Sequence, residues 1–276
     1  MTLRILTANI AFGFGGMDRL FASVRHHLHI HGLAILNCRL SRRSDDRNMA
    51  VRMRRARYVK KHQNLNPTID MILRLQPDIL ILNEVIYELN RELFEEVLVR
   101  IGFQTIEWGV SNHYPGARIS TLLATRAPGR SIRCAMPQRP SMGGGAGMAG
   151  IELTVGSLSV FGMHLTYGGS LLFERQVKYI AEMARDQATR PSNIVVAGDW
   201  NASEATIFAN QDFRRLNLMS GASIENPTCP AFFPRFLQRP LDHVFVPSKW
   251  KRVRSEAIAF GSDHLALMVD VESTEA

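Results

Sequence analysis

Asp199 and Asn201 close the stretch NIVVAGDWNASE, residues 193–204, with Trp200 between them. The four residues before Gly198, Ile194 to Ala197, form an apolar run of the kind seen in strands buried on both faces. In an extended chain, residues two apart point to the same side, so Asp199 and Asn201 face one way and Trp200 the other. A carboxylate and an amide aimed at one spot can orient a water molecule and accept its proton. The same pattern recurs along the chain. Asn9 ends the first apolar segment, Glu84 follows ILIL at 79–82, and His164 closes LSVFGMHL. Asp242 begins DHVFV, and Asp263 with His264 precedes LALMVDV. One carboxylate at a strand end is usually a turn former. Six such places beside apolar strands are hard to treat as independent turns, and strand ends converging on one rim are where sites are assembled.

The elements that must position these residues can be read from the apolar spacing. LRILTANIAF (3–12) is a first strand, and a short helix opened by Pro67 and Thr68 stops before Pro77. A strand at 79–82 and a helix over 90–103 with Gly102 as its stop come next. Residues 118–165 hold several strands, ISTLLAT, SIRCAM, AGIELTV and LSVFGMHL, interrupted by the glycine-rich SMGGGAG. A helix at 171–187 precedes strand 194–197, and strands at 241–246 and 264–271 complete the chain. Interspersed strands and helices, with neither a repeat nor a long linker, imply a single unit over 1–276. The expected class is α/β (α+β), two packed sheets covered by helices.

Several quoted segments, in this order, resemble the endonuclease/exonuclease/phosphatase superfamily. They are TANI (7–10), PDILILNEV (77–85), GMHLTYGGSLLFERQVKYI (162–180), GDWN (198–201), LDHVFV (241–246) and SDH (262–264). Each is weak alone; the ordered set, above all GDWN with the late SDH, is specific. The resemblance implies a four-layer, deoxyribonuclease I-like sandwich of two mixed β-sheets flanked by helices. It also implies cleavage of phosphate esters with a divalent metal, magnesium first and manganese second. Glu84 would be the principal metal ligand, with Asn9 and Asp263 beside it, because magnesium prefers oxygen ligands. Asp199 would orient and deprotonate the attacking water, and Asn201 would fix the phosphate or Asp199. His164 and His264 would donate to phosphate oxygens, and Asp242 would hold His264 in its charged form. Where the family has Gln before the metal-binding Glu, this chain has Asn83. Its mid-chain phosphate-binding residue has no clear counterpart; Asn112 and His113 in VSNHYPGAR are candidates.

Charge supplies a second signal. The chain of 276 residues carries a net +8, and residues 25–62 hold eleven Arg/Lys against Asp45 and Asp46. That segment is therefore +9 and the remainder −1 (8 − 9). A localised block of this kind implies a polyanion, with nucleic acid ahead of an anionic membrane surface. Arg52, Arg54 and Arg55 are its candidate contacts, and the block sits as an insertion between Asn9 and Glu84. GFGG at 13–16 lacks the third glycine of a dinucleotide cradle and reads as a tight loop. HHLHIH at 26–31 reads as a solvated or partly buried histidine cluster rather than a metal site. Three scattered cysteines and no apolar run of membrane-spanning length lead to the expectation of a cytoplasmic protein. The leading expectation is a nuclease. A phosphodiesterase or phosphatase for lipid or sugar phosphates is the alternative, as is a silent relative that binds nucleic acid.

Overall fold

The computed structural model describes residues 2–10, 64–110, 118–137, 147–154, 156–166, 168–187, 193–221, 227–229 and 239–273. The basic segment, with Arg52, Arg54 and Arg55, lies outside them, as do GFGG, HHLHIH, residues 141–146 of SMGGGAG, Asn112 and His113.

Twelve strands and five helices alternate along the described chain. β1 (Thr2–Asn9) leads to α1 (Asn66–Leu75), β2 (Ile79–Ile86), α2 (Tyr87–Arg100), β3 (Thr105–Val110), β4 (Ile119–Thr125) and β5 (Gly129–Ile132). β6 (Gly147–Leu153), β7 (Ser159–His164), α3 (Leu171–Gln187) and β8 (Ile194–Asp199) follow. The remainder is α4 (Glu204–Ala209), α5 (Gln211–Arg214), β9 (Leu218–Ser220), β10 (Asp242–Pro247), β11 (Lys251–Ile258) and β12 (Ala266–Glu272).

The strands form two six-stranded sheets, ordered β11-β12-β1-β2-β4-β3 and β5-β6-β7-β8-β10-β9. Each sheet is mixed because each holds one parallel pair near its centre, β1 with β2 and β7 with β8. A parallel pair needs a crossover; α3 supplies it for β7 and β8. Alternate residues of one strand serve two cores. Ile5, Ile81, Val195 and Ala197 pack between the sheets. Leu6, Ala8, Leu80 and Leu82 face outward onto Met71 and Ile72 of α1 and Phe94 and Leu98 of α2. Phe161 and Val196 face the other side, onto Phe173, Val177 and Ile180 of α3. Strands buried on both faces explain the uninterrupted apolar runs. Fully burying one such side chain is worth about 1.5–3 kcal/mol.

Several boundaries differ from the sequence reading. β2 continues four residues past Leu82 through a register shift between Leu82 and Val85. α2 begins at Tyr87, before the expected residue 90. Strand order ends at Ile132 in the SIRCAM segment, and β12 starts at Ala266, which leaves Asp263 and His264 in the turn before it. β3, β9, β11, α4 and α5 had no sequence signal strong enough to read.

The register brings the polar strand ends to one level. Asn9 pairs with Asn83 in the first sheet. In the second, Asp199 pairs with His164 on one side and Asp242 on the other. Gly198 makes this packing attainable: at φ +143°, a Cβ there would lie 1.9 Å from the Met163 carbonyl oxygen.

Candidate active site

Asp199 is the hub of the polar rim. Its carboxylate, 1% exposed, accepts from Asn9 Nδ2 at Oδ2 (2.8 Å) and from the Asn201 backbone N–H at Oδ1 (2.9 Å). His164 Nε2 stands 3.8 Å from Asp199 Oδ2 and 3.9 Å from Glu84 Oε1. His264 Nε2 lies 4.0 Å from Asp199 Oδ2, while its Nδ1 is bonded to Asp242 Oδ2 at 2.7 Å. Asn9, Glu84, His164, Asp199, Asp242 and His264 therefore share one neighbourhood. Asn201 joins it through its backbone, its side chain turning to donate to the Leu165 carbonyl (2.9 Å). Asp263 lies near enough to Glu84 to repel its charge. Trp200 points the opposite way, into an aromatic cluster with Phe213 and Phe245 at 5.1 Å each.

Local backbone distortions aim these groups. Glu84 sits in the β2 bulge at φ +57°, and Asn201 follows β8 at φ +49°, both in the left-handed region that non-glycine residues seldom adopt. The bulge leaves Asn83 fully buried between the sheets and turns Glu84, 23% exposed, toward His164. The Asn83 amide is oriented by its neighbours: its oxygen accepts from Asp199 N–H (2.8 Å), and its nitrogen donates to the Met163 carbonyl and Thr121 Oγ1 (3.0 Å each). Ser262 Oγ donates to the Asn9 carbonyl (2.5 Å) and accepts from His264 N–H (3.4 Å). Gln176 of α3, fully buried, accepts from the N–H and hydroxyl of Thr166 (3.1 and 3.0 Å) and so fixes the chain just after His164. None of these supporting residues has a role that the sequence alone discloses. Ser262 and Gln176 fall inside the recognised segments, so position was available; their bonding was not.

Electrostatics follow from this crowding. Burial, with repulsion from Asp263 and Asp199, raises the Glu84 carboxyl above its usual range against the pull of His164 and His264. Burial and the Asp242 charge likewise raise Asp199, opposed by both histidines and the Asn9 bond. Burial alone would lower His264, but Asp242 and Asp199 outweigh it, and the imidazole titrates well above its ordinary value. Glu84, Asp199 and Asp242 face His164 and His264, Asp263 adds its charge beside Glu84, and among the described residues no lysine or arginine pairs with any of these carboxylates. A hard cation would neutralise that excess, and Glu84, Asn9 and Asp263 offer oxygen donors for it. Ligand atoms of Asp199, Asp242 and His264 also lie within 4.8 Å of one another. Because Asp242 already engages His264 Nδ1, that trio is better suited to carrying protons.

The two-sheet sandwich with flanking helices is the deoxyribonuclease I-like architecture. The model of the Endonuclease/Exonuclease/phosphatase family matches residues 6–264, and the chain belongs to that family, whose members are phosphoesterase hydrolases. No curated protein sequence matches it significantly. Among solved structures, an endonuclease/exonuclease/phosphatase from Beutenbergia cavernae is 18% identical with a TM-score of 0.60, over 99% of this chain and 72% of that one. The human Nocturnin catalytic domain with bound sulfate is 16% identical at a TM-score of 0.60, over 99% and 94%. D. rerio TDP2 complexed with a single-strand DNA product is 13% identical at a TM-score of 0.58, over 99% of both chains. Among the described residues no helix is long and apolar enough to cross a membrane.

Proposed function

We propose that this chain is a divalent-metal-dependent hydrolase of phosphodiester bonds and that its substrate is nucleic acid. The observation that carries the reaction class is the convergence on Asp199 of Asn9 (2.8 Å), His164 (3.8 Å) and His264 (4.0 Å), with Asp242 behind His264. The substrate rests on different support: the +9 segment at 25–62 suits a polyanion. The structure of D. rerio TDP2, which shares this fold, was solved with a DNA strand. Free cysteines Cys134 and Cys229 fit the reducing cytoplasm.

Asp199 is the base that takes a proton from the attacking water. Its raised titration brings it nearer to neutral pH, where a general base works best. Asn9 and Asn201 hold its two oxygens in place. His264, kept cationic by Asp242, donates to a phosphoryl oxygen as negative charge builds there, and His164 donates from the other side. Glu84, Asn9 and Asp263 would hold the magnesium or manganese ion. When bound, that ion supplies positive charge against the phosphate oxygens. The carboxylates do not encode the leaving group, so the substrate class is decided outside this set.

The test is magnesium-dependent hydrolysis of a generic phosphodiester, with chelator as control, by wild type and by Asp199→Asn. The expected loss is roughly 100-fold or more, the typical contribution of a positioned general base. A folded variant as fast as wild type would overturn the assignment. A parallel panel of nucleic acids, phospholipids and phosphorylated sugars tests the substrate. Turnover confined to lipids or sugars would keep the reaction class and discard nucleic acid.

A further inference from the structure

The Asp242–His264 pair is assembled from opposite halves of the sandwich. Asp242 opens β10 of the second sheet, whereas His264 sits in the turn leading into β12 of the first. Their 2.7 Å bond therefore depends on the separation of two backbones that belong to no common strand ladder. We infer that Thr228 sets this separation and is the positioning residue of the pair, an inference that rests on the function proposed above.

Thr228 is fully buried and bonded on every side. Its Oγ1 accepts from the N–H groups of Leu241 (3.2 Å) and Asp242 (3.1 Å), using both lone pairs of the hydroxyl. Its carbonyl accepts from the N–H of Leu265 (2.7 Å), the residue after His264. Its own N–H donates to the Arg239 carbonyl (3.0 Å), where Cys229 and Arg239 also form an antiparallel bridge. The distance from the Asp242 backbone to the His264–Leu265 backbone thus runs through one residue's covalent frame, from hydroxyl oxygen to carbonyl oxygen. The Leu241 carbonyl extends the same register by accepting from Trp200 N–H (2.9 Å), next to Asp199. Every bond described here is to backbone, and none is to the His264 ring or the Asp242 carboxylate, so Thr228 acts through the placement of both.

A buried threonine that merely satisfies a turn would show the same bonds, and two substitutions separate the cases. Thr228→Ser keeps the oxygen. Thr228→Val keeps the shape but takes the acceptor from the Asp242 N–H, which is buried, and from the Leu241 N–H, which is partly so. The first measurement is the far-downfield proton resonance of a carboxylate-bonded imidazole, recorded without metal or substrate and assigned to His264 by its loss in His264→Gln. The second is kcat and KM for magnesium-dependent phosphodiester cleavage. Thr228→Ser retains the resonance and the rate. Thr228→Val shifts or abolishes the resonance and lowers kcat roughly 100-fold, the loss expected of an ångström-scale misplacement, while KM stays within about threefold. If Thr228→Val does not fold at the assay temperature, Thr228→Ala, which makes room for a water at the lost oxygen, takes the same two measurements. A folded Val or Ala variant with native resonance and native kcat overturns the inference. Were wild type itself inactive on every phosphodiester, the function would fail while the resonance still decided whether Thr228 positions the pair.

Discussion

Replacing Asp242 with asparagine tests how far the site's chemistry depends on one buried charge. Asp242 lies with its side chain fully out of solvent and bonds His264 Nδ1 at 2.7 Å. Asparagine keeps the shape and one acceptor oxygen, so the change removes charge and little else. Hydrogen bonds to charged partners contribute about 1.5–3 kcal/mol, and about 1.36 kcal/mol is tenfold in rate, so kcat/KM should fall roughly 10- to 150-fold. The pH profile carries the sharper signature. Asp242 raises His264, so its loss lowers the pH at which the imidazole gives up its proton, and the alkaline limb moves down. The same charge raises Asp199 by repulsion, so its removal moves the acid limb down as well. The whole bell should therefore slide toward lower pH. The assay is kcat/KM for phosphodiester cleavage from pH 5 to 10 at saturating magnesium, beside melting curves to establish folding. A folded variant within threefold of wild type, or a bell that stays put or moves up, would refute the assignment of Asp242 and His264.

Glu84→Gln should abolish magnesium stimulation, yet raise the melting temperature measured in chelator. The native carboxyl titrates above its ordinary 4.5, so its contribution to stability declines as pH rises from that value through the folded-state one. The variant's advantage should accordingly grow over that window, and a melting temperature that drops at neutral pH would count against the excess-charge account. Gly198→Ala should destabilise by about 3 kcal/mol or more in denaturant titration, because the new methyl meets the Met163 backbone rather than a yielding side chain. Charge reversal at Arg52, Arg54 and Arg55 should weaken cleavage of nucleic acid and flatten its salt dependence, by about 0.9 in log–log slope for each duplex phosphate that the segment no longer neutralises. An unchanged slope would remove the basic segment from substrate binding.

How much of this was legible depended on whether the signal was local. β2, β4, β7 and β8 stand out because both faces are covered, which writes an apolar run into the sequence. β11 was invisible for the opposite reason. Lys251, Arg252 and Arg254 are exposed on an edge strand, and the charges that discourage edge-to-edge pairing also hide its period. β9, with three residues, is too short for any period to register. Among the polar residues, those at the ends of apolar runs could be picked out by position alone. The bonds made by Asn83, Thr228 and Ser262 could not, because each reaches residues far along the chain. Ser262 and Asn9 are 253 positions apart, for example. Nothing in a threonine between proline and cysteine announces the two backbone groups that it will receive.

The two strained residues of the site answer a geometric need that regular strands cannot meet. A strand sends neighbours to opposite faces, so it delivers at most every second side chain to one place. Asn83 must face inward to receive the Asp199 N–H, while Glu84, the very next residue, must look toward His164. The bulge, with Glu84 at φ +57°, resolves that conflict. At the end of β8 the demand is that Asp199 accept the N–H of the residue two further on (2.9 Å), and the left-handed Asn201 delivers it. Such conformations cost of order 1–3 kcal/mol each and persist only where the surroundings over-determine them. The surroundings here are the fully buried Leu80, Ile81, Leu82 and Val85 on one segment and Val195, Val196, Ala197 and Trp200 on the other. The strands with the most complete burial are thus the ones able to carry strained ends, which is why the deepest apolar runs in the sequence stand directly before the polar residues that meet at Asp199.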